Sequence, residues 1–179
     1  TTGIFARPFG YEVNLSSSDR EVPERGRMSQ LLMKSERDLG AMVSFDVRRD
    51  KHPLKYIKFD AGLFNGQGIT ATADFDNRKD FISRVALKPI DLNKKMILSA
   101  GISLLQGGLF ENTKYAYSTV NIDGAKKVAV DSSASNVGQY SPRKYKGADV
   151  QLKIKNNVGF TEFRAEYIYG TQTGTKSSS

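Results

Sequence analysis

The sequence predicts an all-β protein, and more specifically an antiparallel transmembrane β-barrel. Apolar and polar residues alternate with period two in seven segments, and long and short connections alternate between these segments. Most of the segments are about 10 residues long, whereas an ordinary strand averages about 5–6 residues and a membrane-spanning strand needs about 9–11. Strands that turn alternately on the two sides of a membrane produce this order of connections.

The alternation gives each predicted strand one apolar and one polar face. The predicted strands span residues 2–8, 38–47, 54–65, 80–90, 96–106, 145–155 and 160–169. The sixth has the clearest pattern, with apolar side chains at Ala148, Val150, Leu152 and Ile154 and polar ones between them. We expect the apolar faces to contact lipid and the polar faces to line water.

Connections and strand ends add two further expectations. Residues 48–53, 91–95 and 156–159 are short turns, whereas residues 9–37, 66–79 and 107–144 are long loops on the opposite side. Aromatic residues near strand ends would form interfacial girdles; they are Phe5, Phe9, Phe45, Phe64, Phe81, Phe110, Tyr145 and Phe160. Seven strands leave an open sheet with unpaired backbone in lipid, so we expect residues 1–179 to be a segment of a larger barrel.

The composition excludes several classes of site. The chain has 27 Lys and Arg against 19 Asp and Glu, a net charge of +8, with no Cys and a single His, His52. Disulfide frameworks, thiolate metal sites, cysteine nucleophiles and sites with two imidazoles are therefore excluded. The basic residues are interleaved with acidic ones, so we expect no nucleic-acid partner.

No motif predicts an enzyme, a cofactor or a strong metal site. The chain lacks G-x-S-x-G, and the G-x-G-x-x-A pattern at residues 66–71 is not followed by a helical pattern. Asp74, Asp76 and Asp80 have the spacing of three calcium ligands. The glycine and the glutamate that complete such a loop are missing, so these three are only weak metal candidates.

Several motifs in residues 1–110 resemble the phosphate-selective porin O and P family, in its Bacteroidetes-type variants. They are Pro8-Phe9-Gly10-Tyr11-Glu12, Ser16-Ser17-Ser18, Glu24-Arg25, Glu36-Arg37-Asp38-Leu39-Gly40-Ala41-Met42-Val43, Leu63-Phe64-Asn65-Gly66-Gln67-Gly68 and Phe81-Ile82-Ser83-Arg84-Val85. The resemblance implies a barrel of about 16 to 18 strands in the outer membrane of a Gram-negative bacterium. It also implies a homotrimer that conducts small anions or mixed solutes, with a loop at residues 9–37 that folds inward and narrows the pore.

The predicted function is accordingly passive diffusion of small, anionic or polar solutes through a water-filled channel, with outer-membrane lipid as the surrounding partner. The candidate pore and constriction residues are Arg7, Arg20, Arg25, Arg27, Arg37, Lys58, Arg84 and Lys88. A basic excess on the polar strand faces would favour anions, and charges on the loop and the facing wall would create a transverse field. The alternative is a soluble or surface-exposed β-sandwich that binds a glycan or a protein; its apolar faces would be buried between two sheets.

Overall fold

The computed structural model describes residues 1–20, 22–33, 35–49, 51–69 and 78–172. Within them the chain forms nine strands and one short helix, α1 (Arg27–Leu32). The strands are β1 (Thr2–Ala6), β2 (Arg37–Asp46), β3 (Ile57–Phe64), β4 (Asp80–Asn93), β5 (Met96–Phe110), β6 (Ala116–Ile122), β7 (Ala125–Asp131), β8 (Tyr140–Lys155) and β9 (Phe160–Thr171). No helix among these residues is long and apolar enough to cross a membrane.

Seven strands form one antiparallel sheet in the order β1-β2-β3-β4-β5-β8-β9. This confirms the all-β, antiparallel prediction, and each of the seven predicted segments contributes one strand. β4, β5, β8 and β9 have 14, 15, 16 and 12 residues, well above the length of an ordinary strand. The sheet is open in the described part of the chain, with β1 and β9 at its two edges.

A second, two-stranded sheet corrects the prediction that residues 107–144 form one long loop. β5 and β8 extend into this region at both ends, and β6 and β7 form a hairpin between them. The hairpin turns at Asp123 and Gly124, whose φ angles of 55° and 77° are both positive. Asp-Gly is a favoured pair for this type of tight turn, because glycine and aspartate tolerate the left-handed region.

The seven-stranded sheet has two faces of opposite character. We call the face with Lys58, Asp60, Arg84, Asp149 and Glu166 the polar face. The apolar face carries exposed side chains on every strand: Ile4, Leu39, Val43, Phe45, Ile57, Phe59, Leu63, Phe81, Val85, Ile102, Val150, Phe163, Tyr167 and Tyr169. In the described part of the chain these side chains are uncovered, with Val43 74% and Ile102 63% exposed.

The connection between β1 and β2, residues 7–36, folds over the polar face; we call it the crossing loop. It contains two 3₁₀ turns, Glu12–Asn14 and Ser17–Asp19, and the helix α1. Phe9, Val13 and Met33 of the loop pack on apolar side chains of the polar face. The side chains of the polar face that the loop contacts are Phe64, Ile82, Leu105 and Tyr145.

This packing corrects half of the predicted aromatic girdle. Phe9, Phe64 and Tyr145 are buried beneath the crossing loop, and Phe5 packs edge-on against Phe64 with ring centroids 5.3 Å apart. These four rings therefore belong to the protein core. The other candidates, Phe45, Phe81, Phe110 and Phe160, are exposed. The girdle stays a prediction for the first three, whereas strand alternation places Phe160 on the polar face with Glu166.

Candidate functional site

The crossing loop is attached to the polar face through the carboxylate of Glu166 on β9. The backbone N–H groups of Tyr11 and Glu12 donate to its two oxygens at 3.3 and 3.2 Å. These donors lie at the start of the Glu12–Asn14 turn, where backbone N–H groups lack partners within the turn. Gly10 has a positive φ of 65°, and a Cβ at this position would collide with the Glu166 carboxylate. Glycine therefore allows the loop to approach Glu166 this closely.

A second attachment links the loop to the middle of the sheet. The N–H of Gly10 donates to Ser103 Oγ at 3.0 Å, and Ser103 is the middle residue of β5. Ser103 Oγ also accepts a hydrogen bond of 3.0 Å from Arg84. Arg84 in turn forms a bidentate ion pair with Asp149 at 2.6 and 2.9 Å, and both side chains are largely buried. Arg84 thus supports the loop through Ser103.

Carboxylates also fix the internal shape of the loop. Glu12 accepts hydrogen bonds from the N–H of Gly26, at 2.5 Å, and from the hydroxyl of Ser29. Glu36 forms ion pairs with Arg25 and, at 3.7 Å, with Arg20. These contacts connect its beginning, middle and end, so the loop forms a compact unit on the polar face.

A buried charge cluster lies where the crossing loop meets the ends of the strands. Asp38 accepts from the N–H of Gly66 at 2.6 Å, and Arg143 donates to the carbonyl of Gly66 at 3.0 Å. Arg143 also pairs with Asp80, which accepts from the N–H of Gly108 at 3.2 Å. The cluster joins the beginnings of β2, β4 and β8 to the end of β5. We infer that it fixes the long connections on this side of the sheet.

Arg7 belongs to this cluster, and not to a water-filled wall as predicted. Its side chain is buried and donates to the carbonyl of Ser35. Burial, followed by repulsion from Arg143, lowers the pKa of the Arg7 guanidinium to about 10, although Asp38 and Asp80 oppose the shift. The group remains charged at neutral pH, and its role is to hold the end of the loop.

Four other basic side chains of the polar face form ion pairs with acids. Lys58 lies 2.9 Å from Asp60, and Lys88 lies 2.6 Å from Asp46. Glu162 contacts both Arg164, at 2.8 Å, and Lys153, at 3.5 Å. Pairing of this kind reduces the excess of positive potential that unpaired basic side chains would create.

Two clefts remain between the crossing loop and the sheet. One, of about 400 Å³, lies between the loop and β8–β9, and its lining includes Arg20, Arg27 and Glu166. The other, of about 590 Å³, lies on the side of β1–β4, and its lining includes Lys58 and Arg84. Basic side chains of the predicted constriction set thus line both clefts.

The remaining predicted residues separate from the site. Arg37 is exposed, and strand alternation places it on the same face as Leu39, opposite to the crossing loop. Asp80 is committed to the buried cluster, and the described residues contain no group of three metal-ligating side chains. Asp74 and Asp76, the other weak metal candidates, lie outside the described residues.

Sequence reasoning missed the residues that attach and shape the loop. Ser103 and Glu166 lie in no motif, and the motif that contains Glu12 gives no sign of its contacts within the loop. The pairing of Arg143 with Asp80 joins residues far apart in the chain. One signal was available: Phe64, Ile82, Leu105 and Tyr145 are apolar residues at polar-face positions of their strands. Such an exception to the alternation indicates a region of the polar face that is covered by protein.

Comparisons with known proteins add no relative. No family model matches the chain, and neither a curated protein nor a solved structure matches it. The resemblance to the phosphate-selective porins therefore depends on the sequence motifs alone.

Proposed function

We propose that this chain forms part of the wall of a β-barrel pore in the outer membrane of a Gram-negative bacterium. The apolar face contacts lipid, and the polar face borders a water-filled lumen. Membrane-spanning strands must pair on both sides, so closure of the barrel requires strands in addition to the seven described here. A homotrimer, as the porin resemblance implies, remains part of this proposal.

The size of the uncovered apolar face supports the membrane placement. Seven strands spaced by about 4.8 Å give a face about 30 Å wide. On β8 the apolar positions from Ala148 to Ile154 extend for about 20 Å along the strand. Such a face, about 600 Å², lies at the upper end of the largest apolar patches on soluble monomers, which measure about 300–600 Å². The alternative, a β-sandwich, needs a second sheet on this face, and the described residues place none there.

The single observation that carries the pore proposal is the position of the crossing loop. The loop lies on the polar face and reaches Ser103, at the middle of β5, while the opposite face stays uncovered. A barrel closed around the polar face would enclose this loop at about half its height. The loop would then narrow the lumen and leave the two clefts as the routes past it.

Selection in such a pore would depend on size first and on charge second. Solutes cross because the polar side chains and lumen water replace their hydration. Because Lys58, Arg84 and Lys88 each have an acidic partner, we propose no more than a modest preference for anions.

Planar-bilayer recording on the protein extracted in detergent, under a salt gradient, tests the proposal. We expect discrete conductance steps. We also expect a small reversal potential whose sign corresponds to a preference for anions. Folded protein that inserts into the bilayer without conductance steps would contradict the pore, and a reversal potential of the opposite sign would contradict the anion preference.

A further inference from the structure

The sequence contains two places where an asparagine or an aspartate precedes glycine, Asn65-Gly66 and Asp123-Gly124. At such a pair the backbone nitrogen of the glycine can attack the side-chain carbonyl carbon of the residue before it, because glycine has no Cβ to obstruct the approach. The product is a five-membered succinimide ring. In a flexible peptide the asparagine reacts faster, because an ionised carboxylate is a poorer electrophile than an amide. From the sequence alone, Asn65 would be the more reactive of the two sites.

The structure protects Asn65 from this reaction. The N–H of Gly66 donates to Asp38 at 2.6 Å, and the carbonyl of Gly66 accepts from Arg143 at 3.0 Å. The N–H of Asn65 donates to the carbonyl of Leu39 at 2.9 Å, and Gly66 is buried. Before it can attack, the Gly66 nitrogen must lose its proton and turn away from Asp38. The segment therefore has to open and break buried hydrogen bonds with charged groups.

Asp123-Gly124 has none of this protection. Both residues are exposed at the tip of the β6–β7 hairpin, and nothing lies within 4 Å of the position that a Cβ of Gly124 would occupy. Within the described part of the chain, the N–H of Gly124 has no hydrogen-bond partner. The Gly124 nitrogen is therefore open to deprotonation by water.

The hairpin can also supply the motion that ring closure needs. Closure brings the Gly124 nitrogen to Cγ of Asp123, and a turn that opens transiently samples this arrangement more often than a fixed one. β6 and β7 form a sheet of their own, and a two-stranded hairpin is only marginally stable in water. Exposed turns of this kind open locally at little cost in free energy. Gly66, by contrast, is held by the buried charge cluster.

We propose that Asp123, and not Asn65, is the site at which isoaspartate forms spontaneously in this protein. The Gly124 nitrogen forms a bond to Cγ of the protonated Asp123 carboxyl, and the hydroxyl of that carboxyl leaves with the N–H proton as water. Water then adds to one of the two ring carbonyls. Cleavage of the bond between the Gly124 nitrogen and the main-chain carbonyl carbon gives isoaspartate, and cleavage of the other carbon–nitrogen bond restores aspartate.

The product changes the turn, and the inference does not depend on the proposed pore. An isoaspartyl linkage lengthens the main chain by one carbon inside a two-residue loop. A loop of this length fixes the register of the two strands. The modified hairpin therefore loses the pairing of Ile122 with Ala125 that closes the turn.

The test incubates the full protein in detergent at neutral pH and follows both sites by mass spectrometry after digestion. Electron-transfer fragmentation distinguishes isoaspartate from aspartate at position 123, and the exchange of an amide for a carboxylate at position 65 changes the mass of its peptide. Two synthetic peptides with the sequences of residues 61–69 and 118–127 give the unprotected rates. Asp123→Glu is the control variant: it keeps the charge, but its longer side chain cannot close a five-membered ring.

In the peptides we expect the asparagine to react faster than the aspartate. In the folded protein Asp123 should react at a rate close to that of its peptide. Asn65 should react at least about a hundredfold more slowly than its peptide, because opening breaks two contacts of Gly66 with charged groups, each worth at least about tenfold.

Three results would overturn the inference. One is deamidation of Asn65 in the folded protein at the rate of its peptide. Another is slowing of Asp123 as strong as that of Asn65. The third is an isoaspartate signal of native size in the hairpin peptide of the Asp123→Glu variant.

Discussion

Replacement of Glu166 by alanine should release the crossing loop from the wall of the sheet. The change removes the carboxylate that accepts the N–H groups of Tyr11 and Glu12 at 3.3 and 3.2 Å. Each hydrogen bond to a charged acceptor contributes about 1.5–3 kcal/mol. The two distances are long and Glu166 is only half-buried, so we take about 1 kcal/mol for each. A total of about 2 kcal/mol shifts the ratio of attached to released loop by about thirtyfold.

Single-channel recording is the assay for this prediction. In the Glu166→Ala variant we expect larger open-channel noise and a higher mean conductance, because the released loop leaves the lumen for part of the time. Glu162→Ala is the matched control. It removes a carboxylate from the same face of β9, but this carboxylate pairs with Arg164 and Lys153 and not with the loop. Equal noise and equal conductance in the two variants would refute the reasoning.

Three further predictions follow from the same contacts. Gly10→Ala should raise the open-channel noise as Glu166→Ala does, because the added Cβ displaces the Glu166 carboxylate. Open-channel noise at the native level would contradict this role of Gly10. Arg84→Met should lower the free energy of unfolding, measured by urea titration, by about 3 kcal/mol, because it leaves Asp149 buried without its partner. Lys58→Met changes a more exposed pair and should lower this free energy by less than about 1 kcal/mol. Equal losses in the two variants would contradict the burial argument. Lys88→Gln should move the reversal potential towards cation preference, because it leaves the negative charge of Asp46 without a partner. The hairpin variant Lys127→Gln should leave the reversal potential unchanged. A shift of equal size in both variants would contradict the placement of Lys88 in the lumen.

The strands could be predicted because each of them has two different environments. On β2 and β3 the alternation correctly separated Val43 and Phe59 from Asp60, since an apolar face and a polar face impose different residues at successive positions. The lengths of β4, β5 and β8 were underestimated. β4 contains register shifts between Leu87 and Ile90 and between Asp91 and Asn93, and these interrupt the period.

The hairpin and the path of the crossing loop could not be predicted in the same way. β6 and β7 have only seven residues each. The prediction of one long loop over residues 107–144 also took no account of the turn signal Asp123-Gly124 between them. The loop follows contacts such as that of Gly10 with Ser103, 93 positions later in the chain. No local pattern encodes a contact of that separation. The burial of Arg7 follows from the same contacts, so its role as a wall residue was predicted wrongly.

The most direct test of the account compares two adjacent residues of β2. The chain contains no cysteine, so Val43→Cys and Ser44→Cys each introduce one unique site for a spin label. Val43 lies on the apolar face and is 74% exposed, whereas Ser44 lies on the polar face, where its hydroxyl contacts Asp60. In lipid bilayers we predict that the label at position 43 is accessible to oxygen and shielded from a water-soluble nickel chelate, with the reverse at position 44. Equal access of the chelate to both labels would contradict the placement of the apolar face in lipid.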